Sequence, residues 1–455
     1  MIAEMLTKYC IGLLLGLTIC PLVFTIAIAA PLSQSFEGEV YVVQADDWLD
    51  KITEKYYDEA TLYSVIVQAT NAKAKEDHTF VPLDPPFNLE VGQKLWIPPS
   101  DTLVKPTPTF PTPLLPQVMV IGMPADALIF SPDDKLLVLN SWASSGEPRV
   151  VQVWNTETWG LRWETTPAWG QAVAFSPNGQ QLSIHMSKFH CLCEAITGQP
   201  IVQLQYNGEV VYNVVFSSDG QRLAGATADG KLILWDTTTH QPTAEFKHDL
   251  PISNFMLSPV GPWVAVMTSG SWGPVELVVW DIFTHERRTL AELKGLPNHT
   301  NVVFSPDAKW LAASLGYGAP VTIWETQTWP EITQLEKPPG FIRQLTFSPD
   351  GHWLAVIVDN MEMGNRIMIW EVPAWQVAAQ LDMTDEVQTI VFSPNSQWLA
   401  AGLGNEAELW EVATGKLVAR MPHEGQVPAV TFSHNGQQIA TGSIDGTIRI
   451  WVMSQ

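Results

Sequence analysis

Cysteine is scarce in this chain. There are four in 455 residues, and two of them, Cys10 and Cys20, lie in an apolar leader. That leaves Cys191 and Cys193, two positions apart and so on one face of a strand. A bridge between them would be badly strained, which excludes a disulfide framework. Basic side chains are also few: 24 Lys and Arg stand against 47 Asp and Glu, a net charge of −23. Such a surface repels phosphate backbones and anionic lipid heads, which argues against a nucleic-acid partner. The chain has no Gly-rich phosphate loop, no His-Glu-x-x-His and no Gly-x-Ser-x-Gly. His185 and His190 beside Cys191 and Cys193 come nearest to a metal cluster, and they read as polar residues at a strand end. No cofactor, no metal and no catalytic residue are expected.

Charge is absent altogether from residues 9–36. The run ends in Ala27-Ile28-Ala29, which predicts a signal peptide over 1–29 cleaved after Ala29. Residues 9–30 are also long enough for a retained membrane anchor. Leu17-Thr18-Ile19-Cys20 loosely resembles a lipoprotein box, with Ile19 where a small residue belongs. Each reading predicts export to the extracellular space or a bacterial cell envelope.

What is present is repetition. Eight copies of an apolar-Ser-Pro-like turn begin at Phe130, Phe175, Phe216, Leu257, Phe304, Phe347, Phe392 and Phe432. Each is followed by a Trp slot: Trp154, Cys193, Trp235, Trp280, Trp324, Trp370, Trp410 and Trp451. Successive slots lie 39 to 46 residues apart, a period that with strand-rich units means a propeller or a related array. In the last copy, strands are expected at 427–432, 438–442 and 447–451, with turns at Ser433-His434-Asn435-Gly436 and Asp445-Gly446. Only four residues follow Trp451, so the last unit lacks a fourth strand. Val118-Met119-Val120-Ile121 can complete it and remove an exposed edge.

These residues resemble the WD-repeat β-propeller family over 117–455. Trp235-Asp236 and Trp280-Asp281 keep the Trp-Asp pair, and Trp324-Glu325, Trp370-Glu371 and Trp410-Glu411 are near variants. The resemblance implies an eight-bladed, all-β ring and a structural His–Ser/Thr–Asp–Trp network. The last repeat offers His423, Ser443, Asp445 and Trp451 for it, and the third offers Thr227, Asp229 and Trp235 without a His.

Residues 38–99 have a different grammar. Tyr41-Val42-Val43 is β-rich, and Asp46-Asp47 can cap a helix in which Trp48, Leu49, Ile52 and Tyr56 share a face. Leu62, Ile66 and Ala69 form a second amphipathic run, and Lys94-Leu95-Trp96-Ile97-Pro98 a last strand. Together with Lys55-Tyr56-Tyr57, Ala69-Thr70-Asn71 and Val91-Gly92-Gln93, this βααβ order resembles the lysin motif (LysM), a small α+β module. The resemblance implies binding of peptidoglycan or another N-acetylglucosamine polysaccharide by Asp46, Asp47, Trp48, Leu49, Thr70 and Asn71. The first loop lacks the family's usual Gly-Asp-Thr, and the second is longer than usual. Residues 100–116 alternate Pro and Thr and read as a semi-rigid linker.

Twenty Trp residues stand out. Trp263, Trp310, Trp353 and Trp398 recur before second strands and are expected to pack between blades. Trp159, Trp329 and Trp375 recur in turns, where exposure is expected, and Trp142, Trp169 and Trp272 fall in irregular loops. The expected protein is a non-catalytic, exported scaffold that tethers to glycan and presents a propeller face to an unidentified protein. The alternatives are a pure protein-interaction scaffold and a glycan-active propeller enzyme.

Overall fold

The computed structural model describes residues 39–453, apart from 45–48, 58–62, 76, 84–88, 90, 100–115, 121–123, 142–149, 166–170, 187–188, 270–273, 294–299, 317, 337–339, 360–364 and 384. The expected leader, the expected linker except Pro116, and the Asp46-Asp47 cap lie outside these residues. The chain divides into two units, Met1–Lys105 and Pro106–Gln455.

In the first unit, strand Glu39–Val42 pairs antiparallel with Lys94–Ile97. Helices Leu49–Tyr57 and Tyr63–Ala74 run between them in the chain. The apolar positions of all four elements meet in one core of Val43, Leu49, Ile52, Ile66, Leu95 and Ile97. The observed order is strand, helix, helix, strand.

The second unit is all β. Its sheets have neighbours on both faces, so their middle strands are buried on both; Leu136–Ser141 is buried at every position, Asn140 and Ser141 included. The first sheet orders Ala125–Phe130, Leu136–Ser141, Val150–Asn155 and Leu161–Thr165 side by side, and the pattern recurs along the chain. The described residues of this unit form six four-stranded sheets and one eight-stranded sheet. The eight-stranded sheet departs from the expected separate blades. Pro200–Tyr206 and Glu209–Phe216 pair directly through Tyr206↔Glu209 and Gln205↔Val210, fusing the second and third four-strand sets. Asn207 and Gly208 make this possible: their φ values of 51° and 82° are those a two-residue hairpin turn requires.

The last sheet contains three strands from the end of the chain and one from far upstream. Pro116–Val120 pairs antiparallel with Thr447–Val452, from Pro116↔Trp451 to Val120↔Thr447. The strand starts two residues before the expected Val118. Ala125, Leu128, Phe130, Leu137 and Leu139 of the first sheet share a core with Ala440, Ile448 and Ile450 of the last. The result is a WD-repeat, propeller-like fold in which each sheet is held to the next by its own apolar cluster.

Candidate functional site

The buried polar network of the last sheet begins at Trp451, whose Nε1–H donates to Thr441 Oγ1 at 2.8 Å. His423 Nε2 lies 2.8 Å from the same oxygen, and His423 Nδ1 lies 3.1 Å from Thr447 Oγ1. Thr447 donates its hydroxyl to Asp445 Oδ1 at 2.6 Å. The directions follow. Thr447 has given its proton to the carboxylate, so His423 Nδ1–H donates to Thr447, and Nε2 accepts from Thr441. Asp445 Oδ2 sits 3.4 Å from Nδ1, but burial, aided by Arg449, outweighs that carboxylate and lowers the His423 pKa to about 4. The ring is therefore neutral at physiological pH.

One sequence expectation is corrected here. The hydroxyl between Trp451 and His423 belongs to Thr441, not Ser443. Ser443 instead donates to the Gly425 carbonyl at 2.9 Å and accepts the Asp445 amide at 3.1 Å, bracing the turns. Thr441 faces Arg449 across the ladder, so alternation puts it on the Trp451 face of the sheet. That two-residue spacing was readable in the sequence and was missed.

The third repeat shows why the network does not recur. Thr227 Oγ1 donates to Asp229 Oδ1 at 2.5 Å, and Lys231 pairs with Asp229. The position matching Thr441 is Gly225, where a Cβ would run into Val211 Cγ1. Trp235 is buried with no hydroxyl there to receive it. In the fourth sheet, Val266 takes that position and His248 closes the gap: Trp280 Nε1–H donates straight to His248 Nε2 at 3.2 Å. His248 was missed because no hydroxyl accompanies it.

The Ser-Pro turns are also bonded. Ser131 donates to Asp133 Oδ1 at 2.7 Å and accepts the Leu136 amide at 2.9 Å. Ser217–Asp219, Ser305–Asp307 and Ser348–Asp350 repeat the contact, so these carboxylates serve their turns. Between turns, the Pro of one sheet lies against the Gly of the next, as with Pro132 and Gly179. The last turn meets the first through Asp134, which accepts the His434 and Asn435 amides at 2.6 and 2.8 Å.

The fourth sheet breaks this pattern in its Ser258 turn. Val260 stands where other turns place Asp or Asn, and Ser258 donates to the Val260 carbonyl instead. Phe283 stands in the neighbouring turn, held alongside by the Ile282 amide on the Pro262 carbonyl at 2.8 Å. Val260 is 62% exposed and Phe283 66%. The Arg222 guanidinium of the third sheet lies 5.1 Å from the Phe283 ring centroid. Apolar side chains, one of them beneath a cation, thus face solvent on adjoining turns.

The turn Trp residues expected at the surface are instead packed. Trp329 is 6% exposed, and Trp159 and Trp375 are half-buried. Trp263 and Trp310, expected to pack between sheets, contact Trp329 and Trp375. Trp142, Trp169 and Trp272 lie outside the described residues.

Cys191 and Cys193 are buried, their sulfurs 3.0 Å apart, in the core between the first two sheets. His190 alternates to the other face with Leu192 and pairs with His185 across the ladder, ring centroids 5.7 Å apart. Strand alternation therefore separates the thiols from the imidazoles. Among the described residues no group of three or more His, Cys, Asp or Glu could hold a metal ion. His190 is fully buried with neither ring nitrogen hydrogen-bonded, and burial, reinforced by His185, lowers its pKa to about 3.

In the first unit, Asp46, Asp47 and Trp48 lie outside the described residues. The sugar-lining expectation is corrected for the other three. Leu49 belongs to the core, and Thr70 is fully buried, accepting the Trp96 amide at 2.9 Å. Asn71 uses both ends of its amide on the Leu83 backbone, at 2.9 and 2.6 Å. Leu49 thus serves the core, Thr70 the strand Lys94–Ile97, and Asn71 the second loop.

Comparison with known proteins adds the following. The model for the WD domain, G-beta repeat, matches residues 198–236 and 415–452. WD repeats are therefore present at both stretches. The zebrafish (Danio rerio) intraflagellar transport protein 122 homolog is 21% identical over 230 residues, 50% of this chain and 18% of that protein. The human counterpart is 21% identical over 184 residues, 40% of this chain and 14% of its own length. MST50-interacting protein 11 of Pyricularia oryzae is 26% identical over 210 residues, 46% of this chain and 64% of that protein. The chain spans less than two thirds of each of these relatives. Among solved structures, the Cps50 (Swd1) β-propeller domain of Myceliophteria thermophila aligns with a TM-score of 0.46 and 16% identity, covering 76% of this chain and 99% of that one. The relatives overturn the expected export to a bacterial envelope: they are animal and fungal proteins, the animal ones named for intraflagellar transport. No helix among the described residues is long and apolar enough to cross a membrane.

Proposed function

We propose that this chain is a non-catalytic protein-interaction scaffold, an eight-bladed propeller whose contact surface includes the turns of the fourth sheet. The observation that carries this reading is the pair of exposed apolar side chains at Val260 and Phe283. Among the described residues other turns expose single apolar side chains, as at Ile196 and Ile444. Here two stand on adjoining turns, and Arg222 lies over the Phe283 ring. Aromatic and Arg side chains dominate the energetics of protein contacts. One relative is by its name an interacting protein. The core shared by the first and last sheets, and the Asp134 contact between their turns, support closure of the ring.

The test is cross-linking of the full-length protein in its own cells, followed by peptide identification. A Val260→Asp, Phe283→Asp variant with an unchanged melting midpoint is expected to lose the cross-links that map to the fourth sheet. Cross-links confined to other surfaces, and indifferent to the variant, would refute this face.

The strand–helix–helix–strand order of the first unit supports a second, narrower reading: a lysin-motif-like module that binds an N-acetylglucosamine polysaccharide such as peptidoglycan. Since Thr70 and Asn71 serve the fold, this reading rests on Asp46, Asp47 and Trp48. Titration of the full-length protein with chitin oligomers tests it. Saturable binding lost in Trp48→Ala supports it, and no binding removes it.

A further inference from the structure

The chain contains three Asn-Gly pairs, at 178–179, 207–208 and 435–436. Asn-Gly is chemically labile because the Gly amide nitrogen, unhindered by a side chain, can attack the Asn side-chain carbonyl. Two of these pairs are fastened. The Gly179 amide donates to Ser176 O at 2.8 Å and the Gly436 amide to Ser433 O at 2.9 Å. Asn178 Oδ1 accepts the Ser176 hydroxyl and the Gln180 amide, at 2.7 and 3.0 Å. Asn435 Oδ1 likewise accepts Ser433 and the Gln437 amide, both at 2.8 Å. Each Gly also lies against a Pro of the preceding turn. In both pairs the nucleophile and the electrophile are tied down.

Asn207-Gly208 is different. Both residues are exposed at the tip of the hairpin that fuses the second and third strand sets; the Asn207 side chain bonds the Tyr206 hydroxyl beside it, and the Gly208 side of the pair is open. A side chain at Gly208 would meet nothing within 4 Å. A two-residue hairpin closes through its flanking residues, here Tyr206 and Glu209, so the Gly208 amide points to water.

We propose that Asn207 is a site of selective deamidation that acts on the junction between the second and third strand sets. Hydroxide removes the Gly208 amide proton. The nitrogen then forms a bond to Asn207 Cγ, and the side-chain amide leaves as ammonia once protonated by water. The resulting succinimide is opened by water at either carbonyl, giving aspartate or isoaspartate. The isoaspartate product routes the main chain through Cβ. That lengthens a turn whose pairing tolerates no extra atom, so the Tyr206↔Glu209 and Gln205↔Val210 pairs are lost. Either product adds a negative charge beside Glu209, close to the Tyr206 hydroxyl that donates to Glu245 at 2.7 Å.

The test is incubation of the folded full-length protein in mildly alkaline buffer at body temperature, with peptide mapping by mass spectrometry and amide hydrogen exchange. Asn207 is expected to convert at least about tenfold faster than Asn178 and Asn435, equivalent to ~1.4 kcal/mol in barrier. The converted protein is expected to exchange faster across residues 204–211. Unfolding in urea is expected to bring the three rates together, because the difference lies in the fold. An Asn207→Gln variant is expected to keep the slow exchange throughout. Equal rates at all three sites in the folded protein, or an intact Asn207 when urea-unfolded chain converts, would overturn the proposal.

Discussion

Trp263 and Trp329 meet edge to face, ring centroids 5.1 Å apart and planes at 85°. Trp263 opens the second strand of the fourth sheet, and Trp329 sits in a turn of the fifth with φ of 65°, in the left-handed region where a bulky residue is strained. Trp310 and Trp375 repeat the arrangement one sheet later, at 5.5 Å and 90°, with Trp375 at φ 55°. The strain is offset by burial of the ring against the preceding sheet. Trp329→Ala is therefore expected to cost about 3–5 kcal/mol, the range for emptying a buried aromatic site. Urea denaturation measures it, and a Trp263→Ala, Trp329→Ala double variant should cost less than the sum of the singles.

Thr441 accepts from Trp451 and serves His423, so Thr441→Val strands two buried ring nitrogens. The expected loss is ~2–6 kcal/mol, at about 1–3 for each orphaned group. Ser443→Ala touches only the turns and should cost about 1 kcal/mol. Equal losses in equilibrium unfolding would place Ser443 in the chain of bonds after all.

Three buried imidazoles set a pH dependence. His190, His248 and His423 have pKa values lowered from 6.5 to about 3, 4 and 4, with burial the largest cause in each. Below pH 6.5 the unfolded chain binds protons that the folded chain refuses, so stability is full above that pH and falls as pH drops toward 4. The melting midpoint should decline across this window. His190→Phe should flatten the decline, since His190 contributes with no compensating hydrogen bond.

Asp134 is expected to control the seam between the last and first turns. Asp134→Ala removes the acceptor for the His434 and Asn435 amides. Those two amides should then exchange faster, and stability should fall by about 1.5–3 kcal/mol, the value of charge-assisted bonds. Exchange elsewhere in the last sheet should change far less.

The repeat was legible because each unit solves the same packing problem with the same residue types at the same register. Turn chemistry, the Trp slots and the need for a borrowed strand all followed from spacing. Positions that depend on a neighbouring unit were not legible. Trp329 and Trp375 look like surface residues until the preceding sheet covers them. Thr441 and Ser443 differ by two residues; alternation puts a hydroxyl on the Trp451 face, and the register opposite Arg449 picks Thr441. Thr70 and Asn71 matched a sugar-lining pattern, but their polar atoms are consumed by Trp96 and Leu83. The fused hairpin at Asn207-Gly208 carries an ordinary turn signal that does not say which strands it joins.

The pairing of Pro116–Val120 with Thr447–Val452 also orders events in time. On the ribosome, the upstream strand emerges long before its only ladder partner has been made. Its edge stays unsatisfied while the six other sheets of the unit take shape, and a loop spanning nearly the whole unit must then close around them. Synthesis of Thr447–Val452 is thus the step that gives Pro116–Val120 its partner, and a variant in which that strand cannot form would keep the other sheets while leaving the upstream strand unpaired.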